Sequence, residues 1–197
     1  MVALVLAATL AASPDVSAHR TEDYLQAARI GVEPDRVLIT LDLTPGIATA
    51  ESLLAALDHD RDGWLSAEEQ RGYVEQVVSA LAVEIDGRRL EPRVRSSGFP
   101  ESSALRRGEG TIRLNIQAAL PEVPDGPHRL LFRNAHLAGH SAYLANALVP
   151  DSARVVVTAQ RRDRDQTELT IEYTLHGGSG STLTRVLSRL ASAFSLR

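Results

Sequence analysis

Oxygen-bearing side chains recur at alternate positions in residues 58–69 of this chain. Carboxylates occupy the first, third and fifth positions of the segment, glycine the sixth, serine the ninth and glutamate the twelfth. A calcium ion takes about six to eight oxygen ligands, drawn from carboxylates, other polar side chains, backbone carbonyls and water. We therefore predict a metal site whose ligands are Asp58, Asp60, Asp62, the Trp64 carbonyl, Ser66 and Glu69.

This spacing is the full loop pattern of an EF-hand, so Ca²⁺ is the expected cofactor. Gly63 permits the sharp turn in the middle of the loop, and Leu65 is expected to point into the core. Ser66 should form a capping box with Glu69, which also reaches back to the metal with both carboxylate oxygens. The alternative is a loop that keeps this shape but binds calcium too weakly to matter. Because only one such loop occurs, we expect calcium to stabilise the fold, not to act as a sensor's switch.

Two helices must position this loop. Residues 50–57 carry leucines on one side, and residues 66–81 have an apolar stripe with a period of about 3.6. A helix–loop–helix insert is therefore expected at about residues 50–81.

Most of the remaining chain has the period of two that is typical of strands. Asp86-Gly87 is a strong hairpin turn, and turn residues separate the other apolar segments. Short strands at this spacing predict a mainly β protein, an antiparallel Ig-like β-sandwich over residues 19–176 into which the helices are inserted. The predicted strands are residues 36–44, 82–85, 88–95, 110–120, 128–134, 154–161 and 168–175.

The first 18 residues have the pattern of a signal peptide. A short apolar run at residues 2–12 is followed by small residues before His19, and the run is too short to span a bilayer. We predict cleavage after Ala18 and a periplasmic or secreted location. The alternative is a buried N-terminal segment.

The C-terminal residues predict a separate element. Residues 177–183 form a Gly/Ser linker, and residues 184–197 form a basic amphipathic helix. This helix either docks on the sandwich or contacts an envelope protein or a membrane surface.

Composition excludes several classes of function. The chain has 197 residues, 44% of them hydrophobic, and a net charge of −4. No basic stripe with interleaved aromatic residues is present, so we expect no nucleic-acid partner. The absence of cysteine excludes disulfides and thiolate metal sites. The segment 139–143 lacks the last glycine of a nucleophile elbow, and no other pattern supports catalysis, so we expect a protein that is not an enzyme.

The histidines suggest a second kind of metal site. After cleavage, His19 would offer an α-amine and an imidazole, both of which bind copper or nickel. The alternative function is therefore a periplasmic carrier or sensor of copper or nickel. His128, His136 and His140 lie in one region of the sequence and are candidates to join it. The alternative is that these loop histidines are ordinary polar surface residues.

Several short sequence segments, taken together, resemble those of exported bacterial EF-hand proteins. They are also similar to the extracytoplasmic domain of proteins like the hydrogenase/urease accessory (HupE/UreJ) nickel transporters. The resemblance would cover nearly all of residues 19–175, and it implies that metal handling is the main alternative to structural calcium. Besides residues 58–69, the phrases that carry it are Ala18-His19, Tyr24-Leu25-Gln26, residues 41–46, Phe132 to His136, Ser141 to Leu144 and Asn146 to Pro150.

Overall fold

The computed structural model describes residues 24–177, which form ten strands and three helices. In chain order these are β1 (Tyr24–Val32), β2 (Arg36–Pro45), α1 (Ile47–Leu57), α2 (Ala67–Ser79), β3 (Leu81–Ile85), β4 (Arg88–Arg89), β5 (Pro92–Gly98), α3 (Ser102–Arg106), β6 (Ile112–Ala119), β7 (Gly126–Asn134), β8 (Ser141–Ala147), β9 (Val155–Arg162) and β10 (Glu168–Leu175). The prediction of a mainly β protein with a helical insert is confirmed for this part of the chain.

The strands form two five-stranded sheets. The first has the order β5-β6-β2-β1-β8 and the second the order β4-β3-β7-β10-β9. All neighbouring strands are antiparallel except β1 and β8, which are parallel. The expectation of purely antiparallel pairing is therefore wrong at this one pair.

One hydrophobic core joins the two sheets. Each strand that lines it buries every second side chain, as a strand with one buried face must. In β2 the buried residues run from Val37 to Pro45, and in β10 from Leu169 to Leu175. Helices α1 and α2 add Leu54, Leu57, Tyr73, Val74 and Val77 to the same core, so both helices beside the predicted loop are fixed by packing.

The hairpin at Asp86-Gly87 is confirmed. Both residues have positive φ, 50° and 80°, as a type I′ turn requires, and Ile85 pairs with Arg88. The single strand predicted for residues 88–95 is wrong, because the chain changes sheets within it. β4 pairs with β3 in the second sheet, whereas β5 pairs with β6 in the first. Buried Leu90, whose N–H donates to the Val83 carbonyl at 2.8 Å, marks the crossing point.

The sequence patterns missed β1, β8 and α3. Strand β1 buries Tyr24, Gln26, Ala28 and Ile30 in strict alternation, but a glutamine at an inward position hides the hydrophobic pattern. Its parallel partner β8 contains small and polar residues and depends on pairing with β1 for its place in the sheet.

Other predictions lie outside the described residues. These are the signal peptide at 1–18, the position of His19, the linker beyond Gly177 and the amphipathic helix at 184–197. Among the helices in residues 24–177, none combines the length and the apolar character needed to cross a membrane.

Candidate metal centre

The predicted metal loop lies between α1 and α2. Asp58 caps the C-terminus of α1, and its N–H donates to the Leu54 carbonyl at 2.8 Å. Ser66 is the N-cap of α2. Leu65, next to this cap, packs against the core as expected. The two ends of the loop are therefore attached to packed elements.

The predicted capping box is present. The Ser66 hydroxyl accepts from the Glu69 N–H at 3.3 Å, and Glu69 Oε2 accepts from the Ser66 N–H at 2.8 Å. The other oxygen of Glu69, Oε1, accepts from the His59 N–H at 2.6 Å. These bonds draw the Glu69 side chain, which is only 10% exposed, back over the start of the loop.

The first half of the loop folds around the side chain of Asp58. Its two oxygens accept from the N–H groups of Asp62 at 3.1 Å and Gly63 at 2.9 Å. Gly63 has a φ of 85°, in the left-handed region that glycine tolerates best. Such local hydrogen bonds are typical of aspartate in turns, and they hold the Asp58 carboxylate on the inside of the loop.

Carboxylate oxygens of Asp58, Asp60 and Glu69 converge, and all three lie within 4.8 Å of one another. Calcium–oxygen distances of about 2.3–2.6 Å allow two ligands of one ion to be up to roughly 5 Å apart. The spacing of the three oxygens is therefore compatible with their holding one metal ion. In the described part of the chain, no other cluster of three acidic or histidine side chains has this geometry.

The remaining predicted ligands surround this group without belonging to it. Asp62 Oδ1 accepts from the Trp64 N–H at 2.8 Å, and Asp62 is not among the converging carboxylates. The Ser66 hydroxyl is 2.8 Å from Glu69 Oε2. The Trp64 residue is 64% exposed. Coordination by these three residues stays a prediction.

The acidic groups perturb one another. Hydrogen bonds from Ser66 and from the His59 N–H lower the pKa of Glu69, which keeps it ionised. A hydrogen bond from the Asp62 N–H lowers the pKa of Asp60, but desolvation and the negative charges of Asp62 and Glu69 outweigh it, so the pKa of Asp60 is raised. A cation in the loop would relieve this repulsion.

A buried polar network, which the sequence patterns did not indicate, joins α2 to both sheets. The hydroxyl of Tyr73, one turn after Glu69, hydrogen-bonds to the Tyr24 hydroxyl on β1 and lies 3.2 Å from His136 Nε2. Gln26 donates to the His136 carbonyl at 2.8 Å and accepts from Asn134 at the same distance. The helix that carries Glu69 is thereby held at a fixed position on the sandwich.

Three of the phrases behind the family resemblance supply this network, namely Tyr24 to Gln26, Phe132 to His136 and Ser141 to Leu144. The Tyr143 hydroxyl donates to the His136 carbonyl at 2.6 Å, and Gln26 also donates to the Ser141 hydroxyl. The sequence signal that could have revealed this network is the presence of polar side chains at inward strand positions. The hydrogen bonds of the network indicate that these three segments have a packing role.

The histidines do not converge. His136 is 3% exposed, and burial lowers its pKa to about 4, so it is a neutral core residue. The expectation that it is a surface residue is wrong. His128 lies near the start of β7 and His136 follows its end, a separation of roughly 20 Å or more at about 3.3 Å per residue.

Both ring nitrogens of His128 already have partners. Nδ1 lies 2.8 Å from Asp86 Oδ2, and Nε2 lies 2.8 Å from the Pro124 carbonyl. Desolvation alone would lower the pKa of His128, but these acceptors raise it overall. Because both ring nitrogens lie at hydrogen-bond distance from protein acceptors, neither is free to bind a metal.

The chain was compared with protein-family models, with curated proteins and with solved structures, and none of the three comparisons gave a match. The resemblance to exported EF-hand proteins therefore stays an expectation from the sequence.

Proposed function

We propose that residues 47–79 form a single EF-hand that binds one Ca²⁺ ion in an exported protein without catalytic activity. The observation that carries the proposal is the convergence of Asp58, Asp60 and Glu69 oxygens within 4.8 Å on a loop with the full EF-hand spacing. Export is supported by the signal-peptide pattern of residues 1–18. Asp62, the Trp64 carbonyl and Ser66 complete the ligand set in this proposal.

The packing of the two helices favours a structural role for the ion. A sensor EF-hand responds to calcium by opening its helix pair and exposing a hydrophobic groove. Here Leu54 and Leu57 of α1, and Tyr73 and Val77 of α2, are all buried in the core of the sandwich. Opening the pair would remove these side chains from the core. Calcium would instead neutralise the acidic loop and stabilise the closed arrangement.

Copper or nickel binding has no support in the described residues, because His128 and His136 are held apart and both have other partners. His19, which would supply the amine and imidazole ligands of such a site, lies outside the described residues.

Trp64, the one tryptophan of the chain, makes a direct test possible. Calcium should change its fluorescence and raise the melting temperature in the same titration. At a calcium concentration about a hundredfold above the dissociation constant, binding adds about 2.7 kcal/mol to the free energy of unfolding. In a domain of this size that corresponds to a rise of about 5–10 °C.

A matched pair of variants separates coordination from charge. Asp60→Asn keeps an oxygen that accepts from the Asp62 N–H but removes one converging carboxylate, so most of the calcium response should disappear. Glu68→Gln removes the same charge at a neighbouring position outside the converging group and should respond like the wild type. The proposal would be contradicted if millimolar calcium changed neither the fluorescence nor the melting temperature of the wild type, or if all three proteins responded equally.

A further inference from the structure

Four arginines line one groove where the edges of the two sheets meet. Arg88 and Arg89 lie on β4, the edge strand of the second sheet, and Arg93 and Arg95 on β5, the edge strand of the first. Together with Gln117 and five other residues they line an open cleft of about 640 Å³. We call this cleft the arginine groove. It shares no lining residue with the metal loop.

The chain's path from one sheet to the other creates this groove. After Leu90 the backbone leaves β4 and enters β5, so residues of both strands line the same cleft. Arg93 pairs with Gln117 across the β5–β6 ladder, and a bulge between Val94 and Ser96 interrupts the register at Arg95. Arg93 and Arg95, on either side of Val94, both line the groove.

The guanidinium groups of the arginine groove have no partners in residues 24–177. None of the four forms an ion pair or donates a side-chain hydrogen bond there, although seven other arginines pair with carboxylates. Glu91 is the one acidic residue in the lining. The groove is thus locally cationic on a chain whose net charge is −4.

Protection of sheet edges does not by itself explain these arginines. Charged residues on edge strands do prevent aggregation, and β9, the other edge of the second sheet, carries Arg161 and Arg162. There, however, Arg161 pairs with Glu172, and Arg162 donates to the Ala145 carbonyl and to the Asn146 side chain, whereas the arginines of the groove have no such partners within residues 24–177. Four of the eight residues 88–95 are arginine, whereas the whole chain has 21 arginine and lysine residues among 197.

We propose that the arginine groove binds a phosphate group carried by a phospholipid headgroup or by a soluble phosphate compound. Arginine presents a planar fork that donates two parallel hydrogen bonds to phosphate oxygens. Several forks around one cleft match the concentrated charge of a phosphate better than the separate carboxylates of an acidic peptide. The lining has no aromatic side chain on which nucleic-acid bases could stack.

Vesicle binding tests the proposal and its first source of phosphate. The full mature protein, with calcium held constant, is mixed with vesicles of phosphatidylcholine alone or of equal parts phosphatidylcholine and phosphatidylglycerol. Binding is expected only to the anionic vesicles and should weaken with added salt. Each arginine near an anionic surface contributes about fivefold to affinity, so Arg89→Gln with Arg93→Gln should weaken binding by about 25-fold.

The control removes the same charge elsewhere. Arg71 and Arg164 are exposed and lie outside the groove, so Arg71→Gln with Arg164→Gln should bind nearly as well as the wild type.

Titration with inorganic pyrophosphate tests the second source, a soluble phosphate compound. Binding of pyrophosphate without vesicles, lost in the groove variant, supports the proposal with a soluble ligand. Polyglutamate, titrated in the same way, represents an acidic peptide. Equal losses in both double variants, no binding of either phosphate probe, or binding of polyglutamate alone would overturn the proposal.

Discussion

Replacing buried His136 with glutamine should remove a specific part of the acid sensitivity of this protein. The imidazole is enclosed by Tyr24 and Tyr73, with ring centroids 6.2 and 5.5 Å away. Burial lowers its pKa from the ordinary 6.5 to about 4. Between about pH 4 and pH 6.5, His136 therefore binds a proton in the unfolded chain but not in the folded protein.

The size of the effect follows from the two pKa values. Below pH 6.5 the unfolded state gains a proton that the folded state lacks, so the free energy of unfolding decreases until the folded histidine also protonates near pH 4. Each unit of pKa difference corresponds to about 1.36 kcal/mol. Between pH 7.5 and 4.5 the loss attributable to His136 is about 2.5 kcal/mol.

Urea denaturation at both pH values measures this loss. The wild type should lose about 2.5 kcal/mol more stability on acidification than His136→Gln does, whatever the stability of the variant at neutral pH. Other titrating groups, including His128, are present in both proteins and cancel in the difference. His140→Gln replaces an exposed histidine and retains His136, so it should keep the acid sensitivity of the wild type. Identical acid sensitivity in the wild type and His136→Gln would refute the assignment of a buried neutral imidazole.

Two further pairs of variants test the network and the loop. Tyr73→Phe removes the hydroxyl at the centre of the buried network and should lower the free energy of unfolding by about 1–3 kcal/mol. Tyr173→Phe should leave the free energy of unfolding unchanged or raise it, because the buried Tyr173 hydroxyl has no hydrogen-bond partner among residues 24–177. The reverse order of stabilities in urea denaturation would show that the network is misassigned. Gly63→Ala forces alanine into a φ of 85° and should cost about 1–2 kcal/mol, with weaker calcium binding by Trp64 fluorescence. Gly72→Ala, in the interior of α2 with open space around the added methyl group, should instead add about 0.5–1 kcal/mol, and a stabilised Gly63→Ala would show that the turn is not as described.

Features fixed by neighbouring residues could be predicted from the sequence. The capping box between Ser66 and Glu69, the hairpin at Asp86-Gly87 and the helices on either side of the metal loop all depend on positions a few residues apart. Their physical causes are hydrogen bonds and backbone preferences within one turn of chain, which the residue types specify directly. The spacing of carboxylates in residues 58–69 belongs to the same class.

Features that depend on distant residues were decided only by the tertiary structure. Gln26 meets Asn134 across 108 residues, and Tyr73 meets His136 across 63. The burial of these polar groups is favourable only because each finds its partner, and no local pattern reveals that. The division of residues 88–95 between two sheets, which forms the arginine groove, was hidden for the same reason. The sequence by itself determined the local hydrogen bonding of the predicted metal loop, and the packing of the two sheets determined where that loop, the buried histidine and the arginines lie.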